Sequence, residues 1–513
     1  MTDYLVAIDL GSTSLKAAVF DAGGRGVSSA ARPTEQVRPS REHPEWIVWD
    51  PEQIWGGAAA ATKEAVSRLD DPRRVRAVAV TGMGMDGVPV DARGEALYPF
   101  ISWHDPRTAP QAEWWKRHVG AEKTFSITGF PLWPFMAAMR ILWMREHEPE
   151  VLARADKWLL IEDFLNFRLC GARATDYSMA SCTQLFDQRR RDWSAELLAA
   201  SGIPRSLLPD LKPGGTRLGT VNAAAAAATG LPDGTPVVLG GQDHLCGTLP
   251  VGACRPGTIL DVFGTWENVI TAVPSPALTE EVRRASVCIQ AHVAPGVYAA
   301  WGGTMAGECL EWYRRVFAAD SDWGRLQGEL EGTRPGAGGV LFLPHVSGAA
   351  CPVDDARSAG AFAGIGAATT RADLLRAVVE GLNFQFLDIL ETLQAGLGCR
   401  FDRVSAAGGG ARNDVLLQVK ADMTGLPVEV PEVTDATALG AAMLAGLGAG
   451  IYPDLDEACR RVRRPGRVYA PRPELRETYA KLFALYRQMY PALRPVHHGL
   501  FERKNAAGSP SSA

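Results

Sequence analysis

Apolar and polar positions alternate in two stretches that resemble each other. "YLVAIDLGSTSLKAAVFDAGGRGV" reads as an apolar strand, a glycine turn, a second strand and a "DAGGRG" turn, which predicts a β-hairpin continuing into a meander. "PEQIWGGAAAATKEAVSRL" has helical spacing, and the apolar run Val75 to Val80 after it predicts another strand. From Gln111 to about Arg168 the pattern is mainly helical and rich in Trp. The next stretch turns rich in Gly, Pro and Ala and ends on a strong strand, "PVVLGG". The second half then opens on "TILDVFGTWENVITAV", which repeats the first hairpin. Asp9, Gly11 and Ser12 correspond to Asp261, Gly264 and Thr265, with one extra residue in the later copy. Two such hairpins about 250 residues apart, each heading a half of similar size, predict duplicated α/β domains facing each other. The boundary is expected near Gly240. Further on, "DRVSAAGGGARNDVLLQVKADMTG" predicts strand, glycine loop and helix, and "VTDATALGAAMLAGLGAG" predicts an Ala/Gly-rich helix suited to close packing.

Composition narrows the class. The 513 residues are 46% hydrophobic and 22% charged, ordinary for a globular protein with a large core. A net charge of −5, with no cluster of Lys and Arg interleaved with aromatics, argues against nucleic acid as a partner. Nine cysteines include no C-x-x-C pair and no zinc-like spacing with His, so reduced thiols in a cytoplasmic protein are expected. The N-terminus has no basic region ahead of its first strand, and no apolar run reaches the ~18 residues of a membrane span.

One motif invites a misreading. "TGMGMDG" spells G-x-G-x-x-G after a strand, the pattern of a dinucleotide-binding loop. That chemistry needs a helix N-terminus directly afterwards to meet the pyrophosphate. Here the chain continues "VPVDARGEALYPFISW", which reads as a β-hairpin, so a nicotinamide or flavin site is not expected. The glycines allow close approach of a ligand to the backbone. Asp86 could accept hydrogen bonds from sugar hydroxyls, or simply be a solvated turn residue. "DLGSTSLK" offers turn N–H groups, three hydroxyls and Lys16, a set that can cradle phosphate. Asp9 repels phosphate and makes sense there as a ligand for Mg²⁺ through water. Asp243, just past a strand end in "VVLGGQDHLCG", reads equally as a general base in an interdomain cleft or as a helix N-cap.

Taken together, these stretches resemble the FGGY carbohydrate kinases of the actin-like, hexokinase-like ATPase superfamily, in the right order over nearly the whole chain. "GAFAGIGAATTRADLLRAVVEGL" fits the family's second signature through Gly364, Asp373, Ala377 and Glu380. "FMAAMRILWMREHEP" is similar to the first, with Trp143 and Glu146 in place, but Ala137 stands for a usual Pro, Ser or Thr and Arg140 for a usual Lys. The resemblance implies an α/β chain of two ribonuclease H-like domains with a cleft between them. Residues 1–240 would be the sugar-side domain with the first phosphate hairpin and 241–470 the nucleotide side. A C-terminal helix over 471–500 would pack back, and 501–513 would be a disordered tail.

By the same resemblance Gly11, Ser12, Thr13 and Lys16 lie near the phosphates of ATP, as do Gly264 and Thr265 of the second hairpin. Gly307 in "GGTMAGECLEW" and Gly409 and Asn413 in "GGGARND" complete the nucleotide site. Asp243 matches the catalytic base, and Asp9 the acidic residue near metal and sugar. Met85 and Asp86 match the loop facing the substrate, with Trp103 and His244 beside it. ATP and Mg²⁺ are the implied cofactors and a small sugar the implied partner, and a homodimer is compatible with the family. "MDG", "LYPFISWHDPRTA" and "FGTWE" resemble the fuculokinase branch most, although His244 departs from it. Xylulokinases carry Met-His and Asp-Asn at the two pairs, and glycerol kinases Arg-Glu at the first. The expected substrate is therefore a ketose, either a 6-deoxyketohexose such as L-fuculose or a ketopentose such as xylulose. An actin- or chaperone-like ATPase and a non-catalytic sugar sensor are the alternatives.

Overall fold

The computed structural model describes residues 3–433 and 435–508. Two sheets organise it. The first contains β1 (Tyr4–Leu10), β2 (Ser14–Asp21), β3 (Gly26–Pro33), β4 (Val75–Gly82), β5 (Arg217–Thr220) and β6 (Pro236–Gln242), in the order β5-β6-β4-β1-β2-β3. The second contains β7 (Thr258–Phe263), β8 (Trp266–Val273), β9 (Cys288–Ala291), β10 (Tyr298–Met305), β11 (Arg403–Gly408), β12 (Val428–Val430) and β13 (Arg467–Tyr469), in the order β9-β10-β8-β7-β11-β12-β13. Each sheet has the same kernel. An antiparallel three-stranded meander (β1–β3, or β7, β8 and β10) is extended beside its first strand by two parallel strands (β4 and β6, or β11 and β12). The predicted duplication is therefore present as topology.

The duplication is not a residue-for-residue copy. Side chains alternate faces along a strand, so the one residue inserted in the second hairpin reverses the acid. Asp9 lies opposite Lys16 on β2 and is half-buried. The position two before Gly264 is Val262, opposite Asn268, and it is the half-buried one. Asp261 points the other way, into the core. There Lys420 donates to Asp261 Oδ2 at 2.5 Å and to Glu267 Oε1 at 2.6 Å, over the ring of Phe386. The equivalence of Asp9 with Asp261 is thus corrected.

The Ala436–Gly448 helix packs on the first sheet, against β1, β4 and β6. Its Ala438, Ala441, Ala442 and Ala445 belong to a core cluster that joins Leu5, Ala7, Ala77, Ala79 and Val238 of the first sheet to Leu260, Ile270 and Ala299 of the second. Small side chains permit the close approach of the helix to the first sheet. The expected division of the chain changes accordingly. Gly240 lies inside β6, paired with the first sheet, so the chain leaves that lobe only afterwards. The 241–470 segment also returns this helix to the first sheet. The terminal helix Arg476–Gly508 docks Tyr479, Phe483, Tyr486 and Met489 into the second-lobe core. It runs on to Gly508, where a disordered tail was expected from 501. Residues 509–513 lie outside the described residues. Among the described residues no helix is long and apolar enough to cross a membrane.

Candidate active site

After "TGMGMDG" the chain enters a strand, Gly87–Val90, rather than a helix, as expected. Its main partner is Lys157–Leu160, with only a bridge from Val90 to Ala96 on the hairpin side. Close packing explains the glycines: a Cβ at Gly84 would lie 2.5 Å from Cys182 Sγ, and one at Gly87 2.0 Å from Trp158 Nε1. Asp86 does not face an open space. It is fully buried, with Oδ2 accepting from Trp49 Nε1 at 2.7 Å and Oδ1 paired with Arg140 Nη2 at 3.0 Å. Burial pushes its carboxyl up to about 6 against the pull of Arg140. The same Arg140 donates to the Met85 carbonyl at 2.7 Å and to that of Phe135, so it ties the 83–86 loop to the 130s segment. Arg140, the signature departure, is the scaffold of this loop. Met85, with Trp133, Phe135 and Trp301, packs against a buried cluster of Phe130, Met136, Cys182 and Cys288. Trp103 is partly exposed and stacks on His104 with ring centroids 3.7 Å apart.

A second group gathers at the ends of β1 and β6. Asp243 opens the short helix Asp243–Cys246 and its side chain is 35% exposed. Its Oδ1 accepts from the His244 N–H at 2.6 Å. His244 is half-buried, stands edge-on to Trp301 at 5.2 Å and has no partner for Nε2 among the described residues. Asp9 is close enough to Asp243 and Asp435 to feel both. Burial first, and then these two carboxylates, push it up to about 8, with Lys16 opposing. Lys16 pairs with Asp435, which also caps the Ala436–Gly448 helix by accepting from Ala438 N–H at 3.2 Å. Gly11 closes the hairpin turn through its N–H to the Ser14 carbonyl, while Ser12 is half-buried and Thr13 exposed. Asp435 was not anticipated. Its only signal is that of an Asp preceding an apolar helix, which is common.

The remaining predicted residues meet around a cavity of about 760 Å³. Gly264, Thr265, Gly307, Gly409 and Asn413 all line it. The Gly307 N–H donates to the Gly264 carbonyl at 3.0 Å, and a Cβ at Gly307 would sit 2.4 Å from that oxygen, so only glycine lets the second hairpin lie against this helix start. Asn413 caps the Asp414–Thr424 helix, accepting from Leu416 N–H at 2.9 Å. Trp323, whose Nε1 donates to Glu311 at 2.9 Å, Gln327 and Arg412 complete the wall. Trp323 and Gln327 carry no local motif, and only folding brings them here, whereas Arg412 lies within "GGGARND".

Residues 4–250 match the model of the FGGY family of carbohydrate kinases, N-terminal domain, and 261–449 that of the C-terminal domain. An L-fuculokinase of Escherichia coli (strain K12) is 31% identical over 92% of this chain and 98% of its own. A glycerol kinase of Citrifermentans bemidjiense is 30% identical over 88% and 91%. The solved xylulose kinase of Rhodospirillum rubrum superposes with a TM-score of 0.89 at 29% identity, covering 96% of this chain and all of that one. The chain belongs to the FGGY family of carbohydrate kinases, phosphotransferases with an alcohol group as acceptor.

Proposed function

We propose that the protein transfers the terminal phosphoryl group of ATP to a hydroxyl of a ketose, with Asp243 as general base. The observation that carries this reading is the placement of Asp243. It is a half-exposed carboxylate at the start of a short helix, beside Asp9, where the two lobes meet. A sugar hydroxyl is a poor nucleophile near neutral pH, and a base that accepts its proton during attack contributes ~10² to 10⁴-fold. The 760 Å³ cavity takes the nucleoside part, against Trp323 and between Gly307 and Gly409–Asn413. The hairpin turns at Gly11–Thr13 and Gly264–Thr265 offer N–H and hydroxyl donors to the phosphates, which supply most of the stabilisation in phosphoryl transfer.

The acidic centre fits a divalent cation held through water. Asp9 is crowded by two other carboxylates. Among the described residues no three His, Cys, Asp or Glu side chains come together closely enough to ligate an ion directly. When bound, Mg²⁺ supplies positive charge to the phosphate oxygens. Asp9 would hold such an ion through water, and Lys16 adds positive charge to the hairpin.

The acceptor side favours a ketose with one apolar flank, of the L-fuculose or xylulose type. Met85, Phe130, Trp133 and Trp301 form an aromatic and thioether wall beside His244. Asp86 acts from behind this wall, by holding Arg140 and with it the Met85 backbone. Coupled ADP release, screened over ketoses, polyols and aldoses, tests the substrate class. Asp243→Asn should lose nearly all turnover while binding ATP as the wild type does. Turnover near the wild-type rate would remove Asp243 from this role.

A further inference from the structure

The strand that delivers Asp243 ends in an unusual way. Between Leu239 and Gly241 the register of β6 against β4 shifts by one residue, and Gly241 has φ +150°. A Cβ there would lie 2.3 Å from Val293 Cγ1 and 2.8 Å from Ser178 Oγ, so glycine is required for Ser178 to come this close. The Gly241 carbonyl accepts from Thr81 Oγ1 at 2.7 Å. The next amide, Gln242 N–H, donates to Ser178 Oγ at 2.9 Å, at the last residue of β6 paired with β4. Ser178 Oγ in turn donates to Asp176 Oδ1 at 2.5 Å, and the Ser178 N–H donates to the same oxygen at 2.7 Å. Asp176 and Ser178 are both fully buried. From the second sheet, Gln290 Nε2 donates to Gln242 Oε1 at 2.7 Å. The residue directly before Asp243 is therefore gripped at its amide by one lobe and at its side chain by the other.

We propose that Ser178, oriented by Asp176, is a positioning residue for phosphoryl transfer: it fixes the Gln242 amide and so sets the direction in which the Asp243 carboxylate leaves the end of β6. The inference rests on Asp243 being the base. Its physical content is a chain of two hydrogen bonds. The Asp176 carboxylate fixes the Ser178 hydroxyl as a donor on one side, which strengthens it as an acceptor on the other. The amide it accepts from is one peptide unit from the base. Gln242 is the last residue of β6 still in register with β4, opposite Gly82, and without Ser178 the Gly241–Gln242 peptide that follows the bulge can tilt. Displacement of a reacting group by about 1 Å costs about 10²-fold in rate. Neither Ser178 nor Asp176 needs to touch the sugar or the nucleotide for this.

Three variants and three measurements separate this role from simple support of the fold. Ser178→Ala should lower kcat at least about tenfold, leave KM for ATP and for the sugar within about twofold, and bind one equivalent of ATP. Asp176→Asn keeps an oxygen that can accept from Ser178 but loses the charge, so its kcat should fall between wild type and Ser178→Ala. Asp243→Asn is assayed alongside. If Ser178→Ala turns over within about twofold of wild type, or loses kcat only in proportion to its ATP-binding stoichiometry, the positioning role is overturned. Should Ser178→Ala not fold, Asp176→Asn decides, and unchanged kcat in it overturns the proposal. If Asp243→Asn itself stays active, the base assignment fails first. A dead Asp243→Asn beside an unimpaired Ser178→Ala removes the positioning role alone.

Discussion

Gly440→Ala adds one methyl group where the Ala436–Gly448 helix crosses the helix that begins with Asp243. A Cβ at Gly440 would lie 1.9 Å from the Cys246 carbonyl oxygen, 2.5 Å from its carbonyl carbon and 3.1 Å from its Cα. All three are backbone atoms, so no rotamer change relieves the contact. Ordinary contact begins near 3.4 Å, and the two helices must therefore part by about 1.5 Å. Overpacking of this kind costs about 1–3 kcal/mol, and the better helix propensity of Ala returns about 1 kcal/mol. The net change in stability is thus about 2 kcal/mol at most. Catalysis is more exposed. Cys246 and Asp243 share a single helical turn, so a shift forced on one reaches the other. At about 1 Å it lowers turnover about 10²-fold. The assay is steady-state ADP release with ATP binding and a thermal melt measured on the same preparation. Gly450→Ala is the control: a Cβ there meets nothing within 4 Å, although φ is +72°, so it should cost about 1–2 kcal/mol of backbone strain and leave kcat alone. A Gly440→Ala enzyme with kcat within about threefold of wild type would refute the claim that this crossing sets the base.

Two further outcomes follow from buried charge. Lys420→Met leaves Asp261 and Glu267 facing each other in the core without their cation, and should destabilise the second lobe by about 3–5 kcal/mol. A calorimetric scan should then show a loss of about 6–20 °C, and a change under about 2 °C would contradict it. His292 is buried, accepts from Ala294 N–H at Nδ1 (2.9 Å) and meets Thr248 Oγ1 at Nε2 (3.0 Å), and burial holds its pKa down to about 3. The unfolded chain takes up that proton first, near 6.5. Stability that is fully present above that pH is therefore lost as pH falls toward 3, by about 1.4 kcal/mol per unit. Urea unfolding at pH 7, 6 and 5 should show this slope, reduced by about one proton in His292→Gln, and an equal slope in both proteins would rule it out.

Much of the protein is legible in its local sequence because the relevant signals are local. Apolar alternation and turn residues mark β1, β2, β7 and β8. The absence of a helix after "TGMGMDG" follows from Pro89 and the turn behind it. Gly307 and Gly409–Asn413 stand out as glycine loops, and the fold brings them to one cavity with the second hairpin. Position 261 shows where such signals fail. Motif spacing pairs it with Asp9, but a single inserted residue turns it to the opposite face, and only Lys420, 159 residues further along, explains how its charge is tolerated. Asp86 shows the same limit, since nothing near it in the chain indicates that Trp49 and Arg140 enclose it.

The sequence by itself determined the two hairpins, the glycine loops, the family and the acid at position 243, because period, turn chemistry and short motifs are properties of neighbouring residues. Only the tertiary structure decided that Asp9 shares its surroundings with Asp243 and Asp435, that the Ala436–Gly448 helix returns to the first sheet, and that Ser178 holds the Gln242 amide ahead of Asp243. Each of these depends on which residues distant in the chain come within a few ångströms, and on how closely glycine and alanine let backbones approach. Close packing in three dimensions sets both, and no local pattern encodes it.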